Sequence, residues 1–200
     1  AYGVVSIDAD RSLSAIVEKP DDPPTYLANV GCYAFEPDVF EYLAQTARSE
    51  RGEYEITDTL ELLLGDGRDI SVVEYDGRWL DVGRPWELLR ANELLLEDID
   101  RDSQGAVAEG AQVDGDVIVE AGATVQDSVH IEGPAVILSG AEVGPNAYIR
   151  GATTVGADVH VGHSVEVKNS ILMRDTAVPH LSYVGDSVLG RNVNFDAGTN

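Results

Sequence analysis

From Val107 to Val167 an aliphatic residue stands at every sixth position: Val107, Val113, Val119, Val125, Ile131, Ile137, Val143, Ile149, Val155, Val161 and Val167. A second series, two positions earlier, is small or aliphatic throughout. It runs through Gly105, Ala111, Val117, Ala123, Val129, Ala135, Ala141, Ala147, Thr153, Val159, Val165 and Ile171. Neither an amphipathic helix nor a half-buried strand has a period of six. A repeat this regular is the mark of a hexapeptide-repeat parallel β-helix. Three hexads make one triangular coil, with the aliphatic residue pointing inward on each face and the small residue letting the corner turn. Coils then stack at about the 4.8 Å strand spacing. Beyond Val167 the period slips. Met173 keeps it, but the next inward candidates are Val178, Val184, Leu189 and Phe195, with two steps of five. A purely structural wall would keep its step, so a site is expected in this irregular stretch, with a harmless deletion as the alternative.

Residues 1–100 have another rhythm. Short apolar runs at Val4–Ile7, Ala15–Val17 and Ile70–Val73 predict strands. Pro37 opens a helical pattern with Val39, Phe40, Leu43, Ala44 and Ala47 on one face. A second helix is expected from Asp58, with Glu61 placed for a capping box and Gly65 closing it. A third follows Pro85, with Leu88, Asn92, Leu95 and Ile99 on the face that packs back on this half. The expected organisation is a mixed α/β, Rossmann-like part over 1–100, a linker over 101–105 and a left-handed parallel β-helix over 106–200.

Composition narrows the partners. Thirteen Lys and Arg against 36 Asp and Glu give a net charge of −23. Such a surface repels nucleic acid and anionic lipid, while 44% hydrophobic content argues against disorder. The balance suits a salt-rich cytoplasm, where self-repulsion is screened. The single cysteine, Cys32, excludes an internal disulfide and fits a reducing compartment. Its alternating surroundings predict a strand and a buried thiol. No apolar run approaches the roughly 20 residues of a membrane span. The chain has no initiator Met, starts at Ala1 just before an apolar strand and stops at Asn200 inside a repeat, so both ends are expected to be cuts.

The scarce cations are informative. The only lysines are Lys19 and Lys168, and between Arg101 and Lys168 the one Arg or Lys is Arg150. Arg150 precedes Lys168 by 18 residues, one full coil, and each follows an inward aliphatic, Ile149 and Val167. The two should therefore stack on neighbouring coils. Like charges about 5 Å apart repel by roughly 1 to 3 kcal/mol at effective dielectrics of 80 to 20. An anion between them, best a phosphate, explains the pair; the alternative is that each pairs with a neighbouring acid such as Glu166. Close downstream, Val-Pro-His-Leu-Ser-Tyr-Val-Gly-Asp carries His180 and Tyr183. A histidine is suited to take the proton from an amine attacking a thioester.

These residues carry a resemblance. The run 161–200, VGHSVEVKNSILMRDTAVPHLSYVGDSVLGRNVNFDAGTN, is similar to the acetyltransferase domain of bifunctional N-acetylglucosamine-1-phosphate uridylyltransferase/glucosamine-1-phosphate N-acetyltransferases. Among these, the archaeal sugar-1-phosphate nucleotidyltransferases with acetyltransferase tails look most alike. The resemblance implies that His180 is the general base and that Arg150 and Lys168 bind the substrate's phosphate. It also implies that Tyr183 and Asn194 contact the sugar phosphate, that Ala197 approaches acetyl-CoA, and that the protein is a homotrimer with sites between prisms.

The first half resembles the back of a sugar nucleotidyltransferase domain. Val17-Glu18-Lys19-Pro20 matches the sugar-binding segment, so Glu18 and Lys19 would contact the hexose and its phosphate. Asn29 and Gly31 match the strand closing over the sugar, and Trp79-Leu80-Asp81-Val82-Gly83 the segment whose aspartate helps hold Mg²⁺, here Asp81. Glu53–Asp58 resembles a family segment without assigned chemistry. The family's glycine-rich phosphate loop and first metal aspartate are not in this sequence, so the piece alone is expected to transfer no nucleotidyl group. The implied substrates are a sugar 1-phosphate, a nucleoside triphosphate and acetyl-CoA. Two other readings stay open: a thymidylyl- or guanylyltransferase whose β-helix is non-catalytic, and a structural trimerisation module.

Overall fold

The computed structural model describes residues 2–199; Ala1 and Asn200, the ends read as cuts, lie outside them. The chain forms two compact units, Ala1–Trp79 and Leu80–Asn200. In the first, β1 (Val4–Ile7) pairs antiparallel with β2 (Leu13–Val17). Ile70–Val73 forms no further strand. It adds only the bridge Ser12–Ser71 and two backbone hydrogen bonds, from Leu13 N–H to Ile70 O and from Val72 N–H to Arg11 O. Helix α1 is short, Val39–Leu43, and it buries Val39 while Phe40 is 71% exposed. Helix α2, Ile56–Gly65, starts two residues before the expected Asp58, and no side chain caps it. Its end is set by Gly67 rather than Gly65. At φ +74° Gly67 donates to Leu64 O and Arg68 donates to Leu63 O, which is a Schellman motif. Leu13, Ile16, Leu60 and Leu63 form the buried cluster of this unit.

The second unit is a three-faced parallel prism, as the hexads predict. The first face is built from Ala106–Val107, Thr124–Val125, Glu142–Val143, His160–His163 and Ala177–His180. The second face comprises Gln112–Asp114, His130–Glu132, Tyr148–Arg150, Glu166–Lys168 and Tyr183–Gly185. The third has six strands, from Asp102–Ser103 to Val188–Leu189. Its first strand, Asp102–Ser103, pairs with Ile118–Val119, so the prism takes in part of the stretch read as a linker. The aliphatic series fills the interior: Ile131, Ile137, Val143, Ile149, Val155, Val161 and Val167 are all fully buried. Val107, in the first coil with no coil below it, is 38% exposed.

Two expectations about the prism change. The slip comes earlier than Met173: Leu172 is the fully buried residue and registers with Val155, while Met173 is half-buried. Ser170, not Ile171, takes the small-residue place and is also fully buried. Helix α3, Pro85–Leu96, is fastened to the prism by Asn92, whose Nδ2 donates to Ala152 O (2.9 Å) and whose Oδ1 accepts from Thr154 Oγ1 (2.6 Å). Its buried residues are Leu89 and Leu96, with Asn92 half-buried between them and Leu95 73% exposed, so the buried side lies one residue later than the expected Leu88–Leu95 face.

Candidate functional site

The prism turns a one-dimensional spacing into a two-column surface. Along the second face, outward positions align as Gln112, His130, Tyr148, Glu166 and Tyr183 in one column. Asp114, Glu132, Arg150, Lys168 and Gly185 form the other. Arg150 and Lys168 are thus direct register partners, as the 18-residue spacing requires. Each also has an acid. Arg150 Nε and Nη2 both reach Glu166 Oε1 at 2.8 Å, and Lys168 Nζ lies 3.2 Å from Asp186 Oδ2. The hydrogen bond that Arg150 donates to Glu166 holds its guanidinium above its ordinary pKa, against a smaller opposing effect of burial. Asp186 is held below the usual carboxylate range, first by Asn169 and then by Lys168.

Tyr183 lies on the last described strand of the same face. A β carbon at Gly185 would collide with the Tyr183 ring and hydroxyl, so the missing side chain lets the phenol lie over Gly185 in the column of Lys168. His180 ends the last strand of the first face, in register with His163, and is exposed. Ser182, 6% exposed, ties the corner between His180 and Tyr183 by donating to His180 O at 3.0 Å. Asn194 bridges Ala177 on that same first face one coil on. Ala197 is exposed, and the following amide, Gly198 N–H, donates to Leu181 O at 2.9 Å. Arg150, Lys168 and Tyr183 therefore share the second face, while His180, Asn194 and Ala197 gather where the first face runs into it. The slip itself lies at Asn169 and Asp186, on either side of His180 and Tyr183 in the sequence.

On the first unit, Glu18 and Asn29 flank Gly3. A β carbon there would stand 3.1 Å from Glu18 Oε2 and 3.5 Å from Asn29 Cβ. Glu18 Oε1 is 3.3 Å from Lys19 Nζ and 3.7 Å from Arg51 Nη2. Asn29 Oδ1 accepts from Gly31 N–H (3.0 Å), shaping a turn in which Gly31 has φ +75°. Arg51, which the sequence reading missed, also pairs with Glu53 and Glu55 and so links the Glu53–Asp58 segment to Glu18. Cys32 is exposed and lies outside any strand, contrary to the buried thiol expected from its alternating neighbours. Asp81 is exposed in the irregular stretch before α3. Among the described residues no group of three or more His, Cys, Asp or Glu could hold a metal ion. Asp81 is a single carboxylate and could supply one ligand to a magnesium ion.

Fold and site together define a class: a nucleotidyl transferase domain joined to a hexapeptide-repeat prism. Residues 1–98 match the nucleotidyl transferase family model, and residues 131–199 match the model of the GMPPB C-terminal domain. Over 99% of its length the chain is 43% identical to a bifunctional sugar-1-phosphate nucleotidylyltransferase/acetyltransferase of Sulfurisphaera tokodaii, covering 49% of that protein. It is 45% identical, again over 99% of its length, to the bifunctional protein GlmU of Methanocaldococcus jannaschii, covering 48% of it. A low-salt glycan biosynthesis nucleotidyltransferase of Haloferax volcanii is 43% identical over 57% of this chain and 32% of its own. Over nearly its whole length the chain is thus similar to proteins named as bifunctional sugar-1-phosphate nucleotidyltransferase/acetyltransferases, which its motifs resemble, and its first part carries a nucleotidyl transferase domain. It spans about half the length of the curated relatives it matches. Among the described residues no helix is long and apolar enough to cross a membrane.

Proposed function

We propose that the protein works in sugar-nucleotide biosynthesis, acetylating an amino sugar 1-phosphate on the prism and joining the sugar phosphate to a nucleotide on the α/β half. Arg150 and Lys168 bind the phosphate, Tyr183 and Asn194 hold the sugar phosphate, and Ala197 lies along acetyl-CoA. His180 takes the proton from the amine as its nitrogen attacks the thioester carbonyl. The N–C bond forms, the C–S bond breaks, and coenzyme A leaves as its thiol once protonated. Anchoring the phosphate at a distance from the amine holds amine and thioester in reacting geometry. The observation that carries this reading is the register of Arg150 with Lys168 on the face that also carries Tyr183.

In the same reading glucosamine-1-phosphate is the acceptor and a UDP-sugar the product. Glu18, Lys19, Asn29 and Gly31 would contact the hexose and its phosphate, and Asp81 would give one carboxylate to Mg²⁺, whose charge would neutralise phosphate oxygens. A cytoplasmic homotrimer fits the family and the single cysteine. The test is thiol release from acetyl-CoA with glucosamine-1-phosphate, for the chain at its full natural length in about 2 M KCl, a salt chosen from its charge. Release that needs both the acceptor and His180 is expected, with His180→Ala close to background.

A second reading makes the prism a non-catalytic tail on a plain sugar-1-phosphate nucleotidyltransferase, with thymidylyl or guanylyl transfer as its reaction. It is favoured by the match of residues 131–199 to the GMPPB C-terminal domain and by the acids paired with both cations. Nucleotide-sugar synthesis without thiol release would select it.

A further inference from the structure

One corner of the prism departs from the repeat, and the reaction above does not use it. Between the second and third faces the chain turns on two residues in three successive coils: Gly115–Asp116, Gly133–Pro134 and Gly151–Ala152. In the next two coils it turns on one, Asn169 and then Asp186, before the hydroxyl residues Ser170 and Ser187. Both have positive φ, +43° and +50°, a region that Asn and Asp tolerate better than most side chains. The hydroxyls close the shortened turn. Ser170 Oγ donates to Lys168 O (2.7 Å) and Ser187 Oγ to Gly185 O (2.6 Å), where the longer turn has Thr153 Oγ1 on Arg150 O (2.9 Å).

The contraction has a consequence at Lys168. In the longer turns the first position is glycine and offers no side chain. In the shortened ones Asn169 and Asp186 stack, and Asn169 Nδ2 donates to Asp186 Oδ1 at 2.7 Å. That leaves Oδ2 directed at Lys168 Nζ, 3.2 Å away. The ammonium has three N–H donors and Asp186 engages one, so two remain for a ligand. A flexible lysine stem held by a seated carboxylate loses less freedom when it binds. The same carboxylate is held below the usual acid range, so it stays charged through neutral pH.

We propose that Asp186, seated by Asn169, is a positioning residue that aims Lys168 at the substrate's phosphate. The proposal rests on the phosphate reading of Arg150 and Lys168, and its test separates the two. Steady-state kinetics would compare wild type, Asp186→Asn, Lys168→Ala and the double variant. The acceptors are glucosamine-1-phosphate and glucosamine without its phosphate. Losing one charge-assisted contact should raise KM for glucosamine-1-phosphate roughly tenfold in Asp186→Asn. Its kcat, its KM for acetyl-CoA and its kcat/KM for glucosamine should stay unchanged, and the double variant should be no worse than Lys168→Ala. If Lys168→Ala raises KM but Asp186→Asn leaves it unchanged or lowers it, the acid is a bystander or a competitor and the proposal falls alone. Equal losses on both acceptors would mean a structural role and also overturn it. A silent Lys168→Ala would remove the phosphate reading itself, and this proposal with it.

Discussion

Arg150 and Lys168 stand side by side on neighbouring coils, yet each gives part of its charge to an acid rather than to its neighbour. Arg150 spends its Nε and Nη2 edge on Glu166, and its Cζ lies 5.7 Å over the Tyr148 ring. A guanidinium held along one edge and one face still presents its other edge, Nη1 with Nη2, in a fixed direction.

Arg150→Lys should therefore cost activity although it keeps the charge. A lysine is a point charge on a flexible stem and cannot be pinned along an edge. The expected loss is about tenfold in kcat/KM for the phosphorylated acceptor, one charge-assisted hydrogen bond's worth. Kinetics indistinguishable from wild type would show that charge alone suffices at this position.

Gly162 lies beneath the strand that carries His180. A β carbon there would meet the backbone of Pro179, its carbonyl carbon at 2.6 Å and its carbonyl oxygen closer still. Backbone cannot swing aside as a side chain can, so Gly162→Ala should destabilise the prism by roughly 1 to 3 kcal/mol. Thermal unfolding measures this, and an unshifted midpoint would mean that the coils separate at no cost.

How much of this was legible depends on what a period can encode. The inward positions and the Arg150–Lys168 pairing follow from counting sixes, because a prism copies sequence spacing directly into space. The displacement at Leu172 was not legible. Deleting one residue leaves Leu172 and Met173 equally able to fill an interior place, and only the length of the corner chooses between them. Asn92 read as one more member of an apolar stripe, whereas its amide bonds both Ala152 and Thr154. Asp186 and Arg51 act through partners 18 and 33 residues away, Lys168 and Glu18, which no local pattern announces. In the first half, short apolar runs over-predicted strands. Such runs at Ile70–Val73 and around Cys32 are consistent with burial that the tertiary structure does not provide.

The carboxylate at 186 also makes a pH prediction. Its folded pKa is lowered by Asn169 and Lys168, so its contribution to stability is present above the ordinary carboxylate value. That contribution is lost as the pH falls through the lowered one. Wild type should melt above Asp186→Asn at pH 7, and the gap should close on acidification below about pH 4, the unperturbed aspartate range. A gap independent of pH would assign the difference to packing instead of charge.

The corner between the first and second faces sets the last prediction. Its positive-φ position is Ser128, Asn146, Ser164, Leu181 and Gly198 in successive coils, with φ between +47° and +76°. Four of the five are small or polar, as that conformation favours; Leu181 is neither, and it is 61% exposed. A leucine held left-handed in solvent costs roughly 1 kcal/mol and gains little burial in return. It stands between His180 and Tyr183, where strain retained against stability points to a use. Leu181→Asn, the residue the second of these coils already uses, should raise the unfolding midpoint by a few degrees. It should also lower thiol release from acetyl-CoA. A lower midpoint would refute the strain argument, and a higher midpoint with full activity would show that the side chain has no part in the transfer.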